Sequence, residues 1–168
     1  MATRPKIKLT LSAIDNALER AATIFLFIMW ALTFYTFFKL PVTVPTHFNA
    51  SGQVDGYGSK ITLLIVPGLA TVIYFGLTQL NKYPHLFNYI RKITKDNAQK
   101  QYTIATRMLR FLKLAILIIF SLIILFTFLT TTGVTKGLGN WFLPLTLTLL
   151  FVPTIIAIFQ SLHKKDLA

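Results

Sequence analysis

The sequence contains no cysteine and only five acidic residues among 168. The absence of cysteine excludes disulfide bonds, thiolate catalysis and cysteine-based metal sites. Charged residues of either sign make up 13% of the chain, well below the roughly 25% of a typical water-soluble domain. With so little charge and 54% hydrophobic residues, the composition indicates a membrane protein.

The hydrophobic residues are concentrated in four blocks and are not spread with the period of an amphipathic helix or strand. Each block is close to the ~20 residues that a helix needs to cross about 30 Å of hydrocarbon. Runs of this length without alternation exclude the strands of a membrane barrel. The sequence therefore predicts an all-α membrane protein, a four-transmembrane-helix bundle forming a single domain over residues 1–168. Its spans are expected at about 21–38, 61–80, 109–129 and 141–159.

These blocks contain no Asp, Glu or His, so neither a proton relay nor ion-coupled transport is expected. Arg110 and Lys113 lie near the start of the third block, where we expect their long side chains to reach the head groups. No signal-peptidase site follows the first block, which is therefore expected to be retained. Ser12 and Asp15 have the spacing of a capping box, so the first helix is expected to extend towards the N-terminus.

The basic residues are distributed very unevenly between the two sides of the predicted bundle. Lys39, Lys60 and Lys136 fall on one side, and the other fourteen fall on the opposite side: Arg4, Lys6, Lys8, Arg20, Lys82, Arg91, Lys92, Lys95, Lys100, Arg107, Arg110, Lys113, Lys164 and Lys165. The positive-inside rule places the richer side in the cytoplasm. We therefore expect a multi-pass protein of the cytoplasmic membrane with both termini inside.

The net charge of +12 does not require a nucleic-acid partner. The basic residues flank the predicted spans, where attraction to anionic lipid head groups accounts for them. Membrane lipids are therefore the expected partners, and no nucleic acid is expected. A homo-oligomer or a larger membrane complex is compatible with the sequence.

The basic segment between the second and third blocks, residues 81–108, has two interpretations. Pro84 is a suitable first residue for an amphipathic helix, because apolar residues from Leu86 to Ile93 then follow at helical spacing. Thr94 or Asp96 is the expected cap of the next helix. The alternative is a solvated connector without a helix of its own.

The segment from Lys39 to Lys60 is 22 residues long, which is long for a link between adjacent helices. Prolines and glycines exclude a helix, and apolar residues within it favour an ordered structure packed on the helix ends. The residues expected to shape this loop are Pro41, Pro45, Gly52, Gly56 and Gly58. By the charge asymmetry, the loop faces the extracytoplasmic side.

The same loop concentrates the polar groups that suit ligand binding: His47, Asn49, Asp55, Ser59 and Lys60. A metal site is not predicted, because His47 and Asp55 with one weak amide fall short of the ligands that zinc needs. An anion site is an alternative, since Ser59 as N-cap and Lys60 would present a helix N-terminus to a phosphate. A third is general acid–base catalysis by His47, oriented by Asp55. No triad spacing surrounds the loop serines, so no catalytic residue is assigned.

The string from Leu40 to Lys60, LPVTVPTHFNASGQVDGYGSK, resembles the signature of a bacterial membrane domain of unknown function. That signature is L-P-x-x-[IV]-P-x-H-[FW]-[ND]-x-x-G-x-x-[DN]-x-[WYF]-[GS]-[SP]-K, between the first two helices of the domain. The same domain forms the N-terminal membrane part of SdpI-type proteins, which protect a producing cell against its own secreted toxin peptide. The similarity covers about the first 80 residues, and the segment from Phe87 to Leu109 is similar to stand-alone four-helix members.

The resemblance implies a protein of the bacterial cell envelope that binds a peptide or lipid at the outer leaflet through the 39–60 loop. Its role would be SdpI-like immunity or envelope protection, without a cofactor. Four spans are predicted within residues 1–168, and the longer SdpI-type architecture has further helices. The alternatives are an enzyme or carrier that acts on a lipid-linked substrate, and an accessory subunit of a membrane complex; binding is favoured over catalysis.

Overall fold

The computed structural model describes residues 4–163, so Lys164 and Lys165 lie outside the described residues. Within this range, four helices are long and apolar enough to cross a membrane. They are α1 (Ala13–Lys39), α2 (Ile65–Leu80, preceded by the 3-10 helix Lys60–Leu64), α3 (Ala98–Thr131) and α4 (Phe142–Leu162). The predicted all-α class is confirmed. Between α1 and α2 the chain forms an antiparallel pair of strands, β1 (Thr43–Phe48) and β2 (Val54–Ser59).

The connections divide the bundle into two ends. At one end, which we call the hairpin end, the β1–β2 hairpin lies beside the turn of residues 132–141 that joins α3 to α4. At the other, the basic end, the start of α1, the 81–97 segment and the end of α4 come together. The loops that the charge pattern assigned to one side therefore do lie at one end of the bundle.

Helix α3 is the central element of the bundle. It packs on α1, α2 and α4, whereas α4 packs mainly on α3. The core between α1, α2 and α3 contains Ala22, Met29, Ala70, Leu117 and Ile124. The small alanines allow close approach of the helix backbones, which is how helices associate when lipid supplies no hydrophobic driving force.

Helix α1 begins at Ala13, because a capping box holds its first turn. The Ser12 hydroxyl accepts from the Asp15 amide at 3.2 Å, and the Asp15 carboxylate accepts from the Ser12 amide at 2.9 Å. The predicted extension of the first helix is therefore confirmed. It places Asp15 and Glu19 on the same helix as the first apolar block.

An ion cluster joins the start of α1 to α3. Arg107 binds Asp15 through two nitrogens, with Nε 2.8 Å from Oδ1 and Nη2 3.1 Å from Oδ2. One turn along α1, Glu19 is shared by two cations, the Lys113 ammonium at 2.5 Å and Arg110 Nε at 3.0 Å. Arg110 Nε is close enough for ion pairing but too poorly aligned to donate a hydrogen bond. The cluster therefore balances two carboxylates against three cations.

The burial of this cluster overturns one expectation. Arg110 and Lys113 were expected to extend towards head groups, yet they are only 5% and 1% exposed. Lys113 Nζ also donates to the Thr78 hydroxyl at 3.0 Å and lies 4.7 Å from the centre of the Tyr74 ring. Both side chains turn inward because Glu19 lies within reach on α1, and the pairing offsets the cost of removing the charges from water.

The 81–97 segment does not form the amphipathic helix predicted from Pro84. A 3-10 turn, Pro84–Leu86, is followed by irregular chain up to α3. The Tyr89 hydroxyl donates to the Pro84 carbonyl at 2.9 Å, and burial raises the pKa of Tyr89, so this hydroxyl keeps its proton. The predicted caps are also wrong. Asn97 is the N-cap of α3, and its side chain accepts from the Thr94 amide and donates to the Lys92 carbonyl.

Substitutions of different residues in the ion cluster should lower the free energy of unfolding by different amounts. Glu19→Gln leaves two buried cations without their carboxylate, and we expect a loss of about 3 kcal/mol in the free energy of unfolding. This value is at the lower end of the usual range because the Glu19 side chain is 27% exposed. Lys113→Met should cost less, because Arg110 still faces Glu19. Unfolding by denaturing detergent, monitored by circular dichroism, measures both.

Asp96→Asn is the matched control, because Asp96 is exposed and lies outside the cluster. It should change the free energy of unfolding by no more than about 0.5 kcal/mol. A Lys113→Met loss equal to or larger than the Glu19→Gln loss would contradict the shared-carboxylate arrangement.

Candidate functional site

The hairpin owes its turn to Asn49 and Gly52. The Asn49 side-chain oxygen accepts from the amides of Ser51 and Gln53, both at 3.0 Å, and the Gly52 amide donates to the Asn49 carbonyl at 2.8 Å. Asn at the first and Gly at the fourth position are typical of a tight β-turn. Asn49, predicted to contact a ligand, thus has a clear role inside the loop.

The hairpin tip is docked on the 132–141 turn. The Gly52 carbonyl accepts from the Leu138 amide at 2.7 Å, and Gln53 pairs with Gly137 as an isolated bridge. Gly52 has a φ of 72°, and a Cβ built there would lie 2.5 Å from the Gly139 carbonyl oxygen. A side chain is therefore excluded at this position by both conformation and space.

The base of the hairpin is closed by Lys60 and Ser59. Lys60 Nζ donates to the Leu40 carbonyl at 3.0 Å and lies 5.0 Å from the centre of the Phe37 ring. The Ser59 hydroxyl accepts from the Ile61 amide at 3.3 Å, as the predicted N-cap. Beneath them Leu40, Val44 and Leu63 form a small buried core. The groups proposed for an anion site are therefore engaged in joining the hairpin to α1 and α2.

His47 and Asp55 face each other across the two strands. The ladder is irregular on either side of His47, and an irregularity of this kind can redirect a side chain. His47 Nδ1 lies 2.5 Å from Asp55 Oδ1, with the two side chains 71% and 42% exposed. An ionised carboxylate only accepts, so it pairs with the tautomer that carries a hydrogen on Nδ1, and in a neutral ring of that tautomer Nε2 is an acceptor. Gly56 opposite His47 leaves room for the first carbon of its side chain, since a Cβ there would be 3.0 Å from His47 Cβ.

A groove of about 570 Å³ lies beneath the hairpin. Residues 45–48 of β1 form its roof, and the 3-10 helix with the start of α2 forms one wall. The remaining walls come from α3, the 132–141 turn and the start of α4, and the lining is mainly apolar: Leu63, Ile65, Val66, Ile123, Leu138 and Phe142. His47 lies at its rim. The volume is within the range of small-molecule sites, about 300–1,000 Å³.

The structure thus separates the five residues predicted to bind a ligand into two groups. His47 and Asp55 are brought together beside the groove, whereas Asn49, Ser59 and Lys60 make hydrogen bonds within the loop. Their contact with a ligand stays a prediction. Sequence reasoning missed the groove, because its lining comes from segments up to 97 residues apart along the chain.

The titratable groups of this end do not form a metal centre. Across residues 4–163, no group of three or more His, Asp or Glu side chains is gathered closely enough to hold a metal ion. The chemistry that His47 and Asp55 offer is that of an exposed, carboxylate-oriented imidazole beside an apolar groove. Such a pair can bind a hydrogen-bond donor or transfer a proton.

The part of the chain that contains the hairpin is similar to known proteins. Residues 24–71 match the model of a family described as a domain of unknown function, DUF1648. An uncharacterized protein of Archaeoglobus fulgidus is 38% identical over 81 residues, which cover 44% of each chain. The chain thus spans less than half the length of this archaeal relative. No solved structure matches the chain.

Docking of the hairpin tip predicts a specific effect of Gly52→Ala. The substitution forces an alanine into a left-handed conformation, at a cost of about 1–2 kcal/mol, and adds a methyl group against the Gly139 backbone. We expect the bond from the Leu138 amide to the Gly52 carbonyl to break. Hydrogen–deuterium exchange at Leu138 should then become at least about tenfold faster.

Gly133→Ala provides the matched control. Gly133 has a similar φ of 78°, but a Cβ there would meet nothing within 4 Å. Gly133→Ala places an alanine in the left-handed conformation without a steric clash. It should therefore leave hydrogen–deuterium exchange at Leu138 unchanged. Equal acceleration in both variants would mean that backbone strain, and not the contact with Gly139, governs docking.

Proposed function

We propose that this protein binds a peptide or lipid at the outer leaflet of the cytoplasmic membrane, through the hairpin and the groove beneath it. The observation that carries the proposal is the position of the His47–Asp55 pair at the rim of an apolar groove of about 570 Å³. An amphipathic ligand has the same two parts, a polar group and an apolar body. The hairpin end offers a partner for each.

The biological role we propose is SdpI-like immunity or envelope protection. Support comes from the match of residues 24–71 to the DUF1648 family, a domain of unknown function, since this segment includes the whole hairpin. It comes also from the resemblance of the LPVTVPTHFNASGQVDGYGSK string to the loop of SdpI-type proteins. Capture of a membrane-active peptide at the outer leaflet would keep it from inserting into the bilayer.

This proposal requires the hairpin end to face outward and the basic end to face the cytoplasm. The uneven distribution of lysine and arginine between the two ends supports this orientation. In the same orientation, the exposed lysines of the basic end, such as Lys92 and Lys95, would lie beside the anionic inner surface.

Single-cysteine labelling tests the orientation directly, because the native chain has no cysteine. Ala50→Cys at the exposed hairpin turn should react with a membrane-impermeant maleimide in intact cells. Gln99→Cys, exposed at the start of α3, should react only after the cells are opened. The reverse pattern would place the hairpin in the cytoplasm and would rule out binding at the outer leaflet.

A protection assay tests the proposed role. Expression in a strain sensitive to a secreted, membrane-active toxin peptide should raise survival. His47→Ala and Asp55→Asn should both reduce the protection, because each removes one half of the polar pair. His85→Ala makes the same chemical change at the basic end and should leave the protection intact. Survival no better than that of the empty vector would count against immunity.

A second candidate function is an enzyme acting on a lipid-linked substrate. The specific observation that favours it is the bond between His47 Nδ1 and Asp55 Oδ1, because a carboxylate that orients an imidazole is suited to general-base catalysis. The two functions differ in the response to His47→Ala. An enzyme loses turnover but keeps its ligand, whereas a binding protein loses affinity.

A further inference from the structure

We infer that the groove holds one hydrocarbon chain of a bilayer lipid, which enters between α2 and α4 and whose head group donates hydrogen bonds to the His47–Asp55 pair. This inference rests on the proposed binding function and narrows the ligand to a lipid. The shape of the groove, the direction of its opening and the chemistry of its rim each favour this ligand.

The groove extends inward along candidate membrane spans. Its deepest lining on α3 is Ile123, which lies six residues, or about 9 Å of helix, inside the end of the apolar block at residue 129. Half of a typical hydrocarbon core is about 15 Å thick. The groove therefore runs alongside more than half of one leaflet, parallel to the chains of the lipids in it.

Helices α2 and α4, which both contribute to the lining of the groove, leave a gap between them. Among the described helices, α2 and α4 each pack on α3 but hardly contact one another. Ile65 at this opening is 64% exposed, and the same exposed apolar face of α2 continues through Leu69 and Val72. The wall of the groove is thus continuous with the apolar surface of a candidate span, and a chain can enter from the bilayer without crossing water.

The interior of the groove suits hydrocarbon better than a peptide backbone. Two hydroxyls in the lining already donate to nearby carbonyls, Thr62 to Ser59 at 2.8 Å and Thr127 to Ile123 at 2.8 Å. A peptide inserted here would bury amide groups with few partners, which is costly. A hydrocarbon chain has no polar group to satisfy.

The rim selects the head group by its hydrogen-bonding character. With Nδ1 bound to Asp55, the neutral His47 ring presents Nε2 as an acceptor, and the Asp55 carboxylate has further acceptor capacity. Lys60, the cation nearest in sequence, is held by the Leu40 carbonyl. An acceptor pair of this kind fits a head group with an ammonium or hydroxyl hydrogen, such as phosphoethanolamine, and not one with a quaternary ammonium.

Lipid retention by the full chain tests the inference. The protein is reconstituted in bilayers of equimolar phosphatidylethanolamine and phosphatidylcholine with identical chains, and is then extracted in mild detergent for native mass spectrometry. We expect one retained lipid per chain. A charge-assisted hydrogen bond corresponds to roughly a tenfold preference, so phosphatidylethanolamine should be enriched by about that factor.

Two variants of exposed α2 residues distinguish a lipid bound in the groove from a lipid bound elsewhere on the apolar surface. Ile65→Trp fills the opening and should lower retention by at least about tenfold, since several methylene groups lose their burial. Val72→Trp introduces the same side chain two turns along α2, at a position that is 70% exposed and outside the groove lining. It should retain lipid like the unmodified protein. His47→Ala should lower the affinity for phosphatidylethanolamine by about the same tenfold factor, so that the two lipids are retained equally.

Each other outcome contradicts the inference in a recognisable way. Equal loss, or equal retention, in Ile65→Trp and Val72→Trp would place the lipid outside the groove. A single lipid bound without preference, or with a preference that His47→Ala does not change, would remove the head-group contact. Absence of retained lipid combined with toxin protection that depends on His47 would overturn this inference while the proposed function stands. Absence of both would overturn the two together.

Discussion

The arrangement of the bundle depends on the pairing of two carboxylates near the start of α1 with three cations on α3. Asp15 is buried and Glu19 half-buried, and both depend on Arg107, Arg110 and Lys113 for their pairing, as the cations depend on them. In a bilayer, where burial of apolar surface does not distinguish one helix face from another, such directional contacts select the face and the register. Helix α1 ends locally, at Leu40 before Pro41, and its rotation against α3 sets the side of the bundle on which the hairpin then begins.

The sequence predicts the helices well, because the tendency to span a bilayer is a property of each segment by itself. The capping box of Ser12 and Asp15 is equally local, and it correctly indicates that α1 starts before its apolar block. The predictions are wrong where contacts with other parts of the chain determine the local structure. The apolar spacing after Pro84 is helical, yet the Tyr89 hydroxyl and the Asn97 side chain hold that chain in an irregular path. Arg110 and Lys113 turn inward because of Glu19, more than 90 residues away.

The candidate site likewise has features that the loop sequence predicts and features that depend on tertiary contacts. His47 and Asp55 are eight residues apart in one hairpin, so their association can be anticipated from the loop sequence. The functions of Asn49 and Lys60 within the loop depend on the turn type and on the Leu40 carbonyl, which composition does not reveal. The groove is beyond prediction from one sequence, because a cavity is defined by the relative placement of elements that are each ordinary in themselves. A polar cluster in a loop therefore indicates where to look, while the tertiary contacts decide which members are free to act.

The hydrogen bond from the Leu138 amide to the Gly52 carbonyl has a mechanical consequence. The hairpin is continuous with α1 and α2, whereas Leu138 belongs to the turn that leads into α4. The two sides of the groove are thereby coupled at their upper edge, where this bond and the Gln53–Gly137 bridge join the hairpin tip to the turn. A sideways displacement of α4, which is otherwise supported mainly by α3, would be transmitted to β1 and would shift the imidazole of His47. We therefore expect a change in the width of the cavity to be accompanied by a change in the position of its polar rim.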